Sequence, residues 1–447
     1  MNTAPSHLKI DVWSLLRVAL PISAGSMIQF VVVLTDNFFL SRLHDSAING
    51  AGNAALIFLT LEMLAIGSAA AFQILIARRL GEGRRDLALQ IFRTSIVFHV
   101  GLGLALMAIA GLLNATVLPG WIADPGVREV FTPFLFIRML GMFPLTILLA
   151  IHAFYMGSAR TWPILVVSGI MAGLNIVLDA AWVAGQWGCE SWGPTGAAWA
   201  SLTAEWTGCL VALALAFKVI PDALDSRTLM QREAFDRWWR LARPLMGQLL
   251  VTIATWTTFF FLVEKVGGLE LKVSHIGRNL FMLAFVVAQG MGQTARTYVS
   301  SLLGAKRESD LRPALKRITA LNLGGILLLC HGFVLYPEFL AGIFFEDSTG
   351  IAAMSRTLHV MFVAVTVYAF TGIALATLQG SGATVEAFRI ELVAVVFYLV
   401  AVIWMTLIEP QPVWIIWRVE WLYFATMGLG SIWFLRKGNW RTALRNN

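Results

Sequence analysis

Residues 20–43 read "LPISAGSMIQFVVVLTDNFFLSRL", an apolar run with a proline near its start, Pro21, and a carboxylate, Asp36, deep inside it. About 20 apolar residues cross the roughly 30 Å of bilayer hydrocarbon, so the stretch reads as a transmembrane helix. A carboxylate at membrane depth is costly unless it is paired, solvated by a cavity or protonated, which makes Asp36 a functional candidate.

Runs of the same kind recur along the chain, near 15–40, 47–77, 90–114, 130–157, 161–185, 196–219, 240–263, 275–303, 316–340, 355–380, 385–408 and 413–435. The fold class expected is therefore all-α and integral to the membrane, with twelve helices. Composition agrees: 58% of the 447 residues are hydrophobic and 13% charged, against about 45–50% and 25% in soluble domains. The opening "MNTAPSHLKIDVWSL" lacks the layout of a cleavable signal, so the first helix is expected to be retained.

Basic residues mark alternate loops. Arg78, Arg79, Arg84, Arg85 and Arg93 surround the second, Lys218, Arg227, Arg232, Arg237 and Arg240 the sixth, and Lys306, Arg307, Arg312, Lys316 and Arg317 the eighth. The tail carries Arg436, Lys437, Arg441 and Arg445. The positive-inside rule then places both termini in the cytoplasm, and the bacterial inner membrane is the expected location. Because the net charge of +7 is spread over these loops and forms no single patch, no nucleic-acid partner is expected. Cys189, Cys209 and Cys330 have no metal-ligand spacing and are assigned packing roles.

The chain repeats itself at an offset of 223 residues: Arg17 and Pro21 match Arg240 and Pro244, Gly67 matches Gly290, Gly81 and Arg84 match Gly304 and Arg307, and Gly157 matches Gly380. Each copy holds six helices, an even number, so the copies enter the membrane from the same side as parallel repeats. The expected organisation is an N-terminal lobe over 1–219, a cytoplasmic linker over 220–239 and a C-terminal lobe over 240–447.

Depth relates two acids. Asp36 lies 19 residues beyond Arg17, and Asp179 lies 19 beyond Arg160, on the order of 28 Å at 1.5 Å per residue in each case. Asn175 and Asp179, four apart, share a helix face, as do Gln29 and Asp36, seven apart. An amide beside two carboxylates can donate a hydrogen bond or complete an oxygen cage for a cation. The same placement would suit acids at helix ends touching water or headgroups. Likewise, Pro21 removes a backbone bond within its helix and marks either a hinge or a static kink repeated at Pro244.

With the repeat and residues 20–43 in hand, the chain resembles the multidrug and toxic compound extrusion (MATE) family. The matching marks are the early proline followed fifteen residues later by Asp36 in "DNFFLSRL", the exits "ARRLGEGRRD" and "VSSLLGAKRESD", and "LNIVLDAAW" in the fifth helix. The resemblance covers essentially the whole chain. It implies two six-helix bundles that export organic, often cationic, compounds in exchange for protons or sodium ions. It also implies that Asp36, Asn175 and Asp179 occupy the ion-coupling positions of the DinF-like branch, that Gln29 lines the cavity and that the first helix bends near Pro21.

In the second lobe, "LLVTIATWTTFFFLV" has no acid before Glu264, and Phe259 stands at the repeat position of Asp36. This argues against a second-lobe acidic sodium site and for proton coupling in the first lobe, with sodium as the alternative ion. Glu62, Glu205 and the group Glu386, Arg389 and Glu391 fall outside the family pattern; Arg389 is read as a partner of Glu386 or an anchor near a helix start. Some of the 17 tryptophans and 29 phenylalanines could line a cavity for flat cations.

A lipid-linked oligosaccharide flippase of the same superfamily remains the alternative, but it needs a basic cavity, and intramembrane bases are few, chiefly Arg138, Arg296 and Arg389. Scattered histidines without metal spacing argue against an enzyme and a metal site. The expectation is a monomeric antiporter for a small organic substrate, embedded in lipid, without a cofactor and driven by H+ or alternatively Na+.

Overall fold

The structure, a computed structural model, describes residues 8–219, 222, 228–437 and 439–442. Its regular elements are all helical among the described residues. The long helices are α1 (Val12–Ser41), α2 (Asp45–Gly81), α3 (Arg85–Thr116), α4 (Pro125–Leu140), α5 (Met142–Gly157), α6 (Trp162–Trp182) and α7 (Pro194–Val219). The second half contributes α8 (Arg232–Glu264), α9 (Gly268–Gly304), α10 (Leu311–Cys330), α11 (Ser348–Ser381), α12 (Thr384–Ile403) and α13 (Val419–Arg436).

Among the described residues, ten helices are long and apolar enough to cross a bilayer, and α4 with α5, bent by 43°, supplies an eleventh span. The twelfth is α13, whose 18 residues are bounded by Glu420 and Arg436. The helices α8, α9 and α11 start seven or eight residues earlier than expected, and two expected spans are cut short by more than five residues at one end. The ninth span ends at Cys330 rather than near 340, because the chain turns at His331, whose Nδ1 meets the Leu328 carbonyl, and then forms short helices. The twelfth begins later than 413, after a separate turn at Val413–Ile416.

The chain divides into two compact units. The N-terminal unit comprises Ala24–Ile76 and Arg84–Trp238; the C-terminal unit comprises Met1–Ser23, Ala77–Gly83 and Trp239–Asn447. The division falls within α1, between Ser23 and Ala24, two residues past Pro21. α1 is one continuous helix through that proline. The residues ahead of it are tied down inside the C-terminal unit: the carbonyls of Leu8, Lys9 and Ile10 accept hydrogen bonds from Arg307, Tyr298 and Arg317.

Within lipid, helices gain little from hydrophobicity alone and associate through small residues that admit close backbones. Gly157 packs against the Gln73 carbonyl, a Cβ there lying 2.9 Å from it, and Gly380 packs against the Arg296 carbonyl at 2.6 Å. Both partners of the second contact lie 223 residues beyond those of the first, so the sequence repeat is also a packing repeat. The C-terminal unit adds an aromatic core in which Phe259 and Phe281 pack edge-on against Trp417, whose Nε1 donates to Ser274 Oγ at 2.9 Å, and Tyr398 packs against Phe259.

The stretch expected as a linker, 220–239, lies partly outside the described residues, which omit 220–221 and 223–227. Its described part is anchored to the N-terminal unit. Asp222 pairs with Arg85 at 2.8 Å, the Met230 amide donates to Thr94, and Trp238 is fully buried, stacked on Phe72 at 4.6 Å. α8 already begins at Arg232, within that stretch.

Candidate functional site

Asp36 on α1 and Asp179 on α6 bring their carboxyls within hydrogen-bonding reach of each other. Asp179 and Asn175 are fully buried one turn apart on α6, and Asp36 is partly buried. The Asn175 amide nitrogen reaches Ser201 Oγ on α7 at 3.5 Å. Its Oδ1, both Asp179 oxygens and Asp36 Oδ1 are buried without a hydrogen-bond partner. The Asp36 and Asp179 oxygens are acceptors facing acceptors, and buried acceptors left without donors, that of Asn175 included, are expensive. A proton or a small cation among them would relieve that cost.

A second charged pair lies in the same unit. Arg138 Nη2 on α4 meets Glu205 Oε1 on α7 at 2.8 Å, with the guanidinium 4.2 Å from the centre of the Phe58 ring on α2. The pair is only half satisfied, since Arg138 Nη1 and Glu205 Oε2 are buried without partners. Glu205 fits because α4 breaks from α5 at Gly141: a Cβ there would collide with Glu205 Oε2. Glu62 on α2 is close enough to both partners to feel their charges, and Asp36 feels that of Arg138. One guanidinium therefore acts on three acids, Asp36, Glu62 and Glu205, and Asp36 in turn meets Asp179.

The sequence left Glu205 undecided and treated Arg138 only as a stray intramembrane base. Their contact spans 67 residues, and no local spacing signals it. Gln29 lies exposed on α1, without a hydrogen bond to Asp36, Asn175 or Asp179. Pro21 lies in the segment of α1 that belongs to the C-terminal unit.

In the C-terminal unit, Phe259 occupies the position equivalent to Asp36 and is buried among aromatic rings. Arg389 is exposed and makes no ion pair with Glu386 among the described residues, which leaves its reading as an anchor. Glu391, two residues on, is buried instead and hydrogen-bonded to α8 and α13; no local pattern separates it from its charged neighbours in the sequence. Cys209 and Cys330 are buried as packing residues, but Cys189 is exposed between α6 and α7, because its loop is not covered. Trp182, Trp192 and Trp199 line a cavity of about 380 Å³ at that connection. Among the described residues, no group of three or more His, Cys, Asp or Glu could hold a metal ion.

The chain matches the MatE family model twice, over residues 21–181 and 244–404. Both ends of the second match lie 223 residues beyond those of the first, the offset of the repeat. A Pseudomonas putida protein called "Probable multidrug resistance protein NorM" is 25% identical over 445 residues, 97% of this chain and 91% of that protein. A Thermotoga maritima protein of the same name is 23% identical over 345 residues, 74% of this chain and 72% of that protein.

Among solved structures, a transporter of the MOP superfamily from Pyrococcus furiosus, described as having a binding pocket of reverse polarity, superposes with a TM-score of 0.87 at 17% identity, covering 97% of this chain and 96% of that one. A structure described as MATE in the straight conformation gives 0.85 at 18% identity, covering 98% and 97%. These likenesses show the fold: two lobes of transmembrane helices. The two family matches together span more than half of the sequence, and the chain belongs to the MatE family, the multidrug and toxic compound extrusion transporters.

Proposed function

We propose that this transporter exports organic compounds, cationic or amphipathic in character, by alternating access, in exchange for protons taken up at Asp36 and Asp179. The observation that carries this reading is the contact between these two carboxyls, with their buried oxygens and that of Asn175 left without donors. Two carboxylates attract only with a proton or another cation between them. When both are ionised they repel: like unit charges about 4 Å apart near a protein surface oppose each other by about 4 kcal/mol. At about 1.4 kcal/mol for each tenfold change in an equilibrium, that shifts a two-state balance by nearly three powers of ten.

Proton uptake would draw α1 and α6 together at this point, and proton loss would part them. α1 passes from one compact unit to the other just beyond Pro21, where the missing backbone hydrogen bond makes bending cheapest. Pro21 is thus the proposed hinge, and the segment carrying Asp36 is the part that moves. Gln29, exposed on that same segment, is proposed to touch substrate. The names of the bacterial relatives, multidrug resistance proteins, support the organic substrate class.

Sodium is the second reading, favoured by the same unpartnered oxygens: carboxylate and amide oxygens are the ligands a hard cation prefers. Efflux of a fluorescent organic cation from proteoliposomes distinguishes the two. A pH gradient without sodium should drive it, and a sodium gradient at constant pH should not. Efflux driven by sodium alone would replace the ion, and efflux driven by neither gradient would end the antiport reading.

A further inference from the structure

A chain of hydrogen bonds crosses the interior of the C-terminal unit. Arg296 on α9 donates through Nη1 to Gln293 and through Nη2 to Gln379 Oε1 on α11, both at 2.8 Å. Gln379 Nε2 donates to Gln248 Oε1 on α8 at 2.8 Å, and Gln248 Nε2 donates to Glu391 Oε2 on α12 at 3.3 Å. The other carboxylate oxygen, Oε1, accepts from Thr252 Oγ1 at 3.0 Å and from the Tyr423 hydroxyl on α13. Gln248, Gln379 and Glu391 are all buried.

The direction of this chain follows from its ends and does not depend on how each amide is drawn. A guanidinium has no acceptor, so Gln379 must turn its oxygen to Arg296 and its nitrogen to Gln248. Gln248 must then turn its nitrogen to Glu391. The oxygen Oε2 is therefore committed as an acceptor. Oε1 is not, because both of its partners are hydroxyls that can rotate. Thr252 has a second acceptor in the Gln248 carbonyl at 2.9 Å, and a phenol hydroxyl accepts as readily as it donates.

We propose that Glu391 is a second proton-exchanging site of this transporter, which carries its proton on Oε1 while the amide chain holds Oε2 and links the carboxylate to the balancing charge of Arg296. The occupant is a proton taken from solvent, not a metal cation, because Gln248 presents N–H hydrogens to the carboxylate and these would repel a metal ion. The ionised form is neutralised through the chain by Arg296; the protonated form leaves that guanidinium as net positive charge in the unit. The other titratable or charged groups around Glu391 are Tyr423 and Glu420 from α13 and Tyr368 from α11, with Tyr398, Glu386 and Arg389 on α12 itself. From α8 come the amide of Gln248 and the hydroxyl of Thr252.

The site stands apart from Asp36 and Asp179 and is tested without transport. Infrared difference spectra of the purified full chain, recorded as pH falls from alkaline to acid, should show protonated-carboxyl intensity that Glu391→Gln lacks and Asp36→Asn retains. Tyr423→Phe, which removes a partner of Oε1 alone, should move the midpoint of that intensity. Identical titrating intensity in wild type and Glu391→Gln would overturn the proposal, as would an unmoved midpoint in Tyr423→Phe. If Glu391→Gln does not fold, the Tyr423→Phe midpoint decides alone.

Discussion

Arg138 and Glu205 face each other at 2.8 Å from α4 and α7, both largely buried, and each keeps one polar atom without a partner. Removing one member of such a pair leaves an uncompensated charge in a poorly solvated place. Arg138→Gln should therefore lower stability by about 3–5 kcal/mol, whereas replacing both residues with methionine should recover most of the loss. Thermal unfolding in detergent, arranged as a double-mutant cycle, measures this. An Arg138→Gln variant as stable as wild type would show that the pair is screened by water.

Two glycines related by the repeat make reciprocal contacts. A Cβ on Gly81 would collide with the Ser301 carbonyl, and one on Gly304 with the Arg78 carbonyl, all within the C-terminal unit. Because Ser301 is itself the repeat equivalent of Arg78, Gly81→Ala and Gly304→Ala should be matched in effect. Each should lose about 1–3 kcal/mol through overpacking against backbone. Gly52 has nothing within 4 Å of such a Cβ, and Gly52→Ala should be harmless. Unequal losses at the paired glycines would mean that the symmetry is not energetic.

Cys189 offers a probe of orientation without any introduced residue, since it is exposed while Cys209 and Cys330 are buried. The expectation from the loop charges, both termini cytoplasmic, makes the α6–α7 connection face outward. An impermeant thiol reagent should label the wild type in intact cells and leave Cys189→Ser unlabelled. Adding Glu233→Cys to Cys189→Ser, at an exposed position near the start of α8, should restore labelling only after the cells are opened. The reverse pattern would invert the topology.

What the sequence revealed and what it hid divide along physical lines. Apolar length and loop charge register one residue at a time, so the spans and the repeat were legible, and matching depth, joined to the family resemblance, set Asp36 and Asp179 side by side as candidates. Hydropathy does not sense a break inside an apolar run, and the bend at Gly141 that admits Glu205 was invisible for that reason. Contacts made across distant segments, such as Arg138 with Glu205 or Glu391 with Gln248, leave no periodic trace. Glu391 was further obscured by Glu386 and Arg389, charged residues on its own helix that do not share its buried surroundings.

The central claim is that the Asp36–Asp179 contact exchanges the proton that drives export, and Asp36→Asn tests it most directly by keeping size and hydrogen-bonding capacity while removing titration. In proteoliposomes loaded with a fluorescent organic cation, efflux and luminal pH are followed together under an imposed pH gradient, with folding checked by thermal unfolding. The account predicts that wild type couples efflux to proton movement, and that Asp36→Asn and Asp179→Asn, folded, lose the coupled efflux. Full proton-driven efflux by folded Asp36→Asn would contradict it.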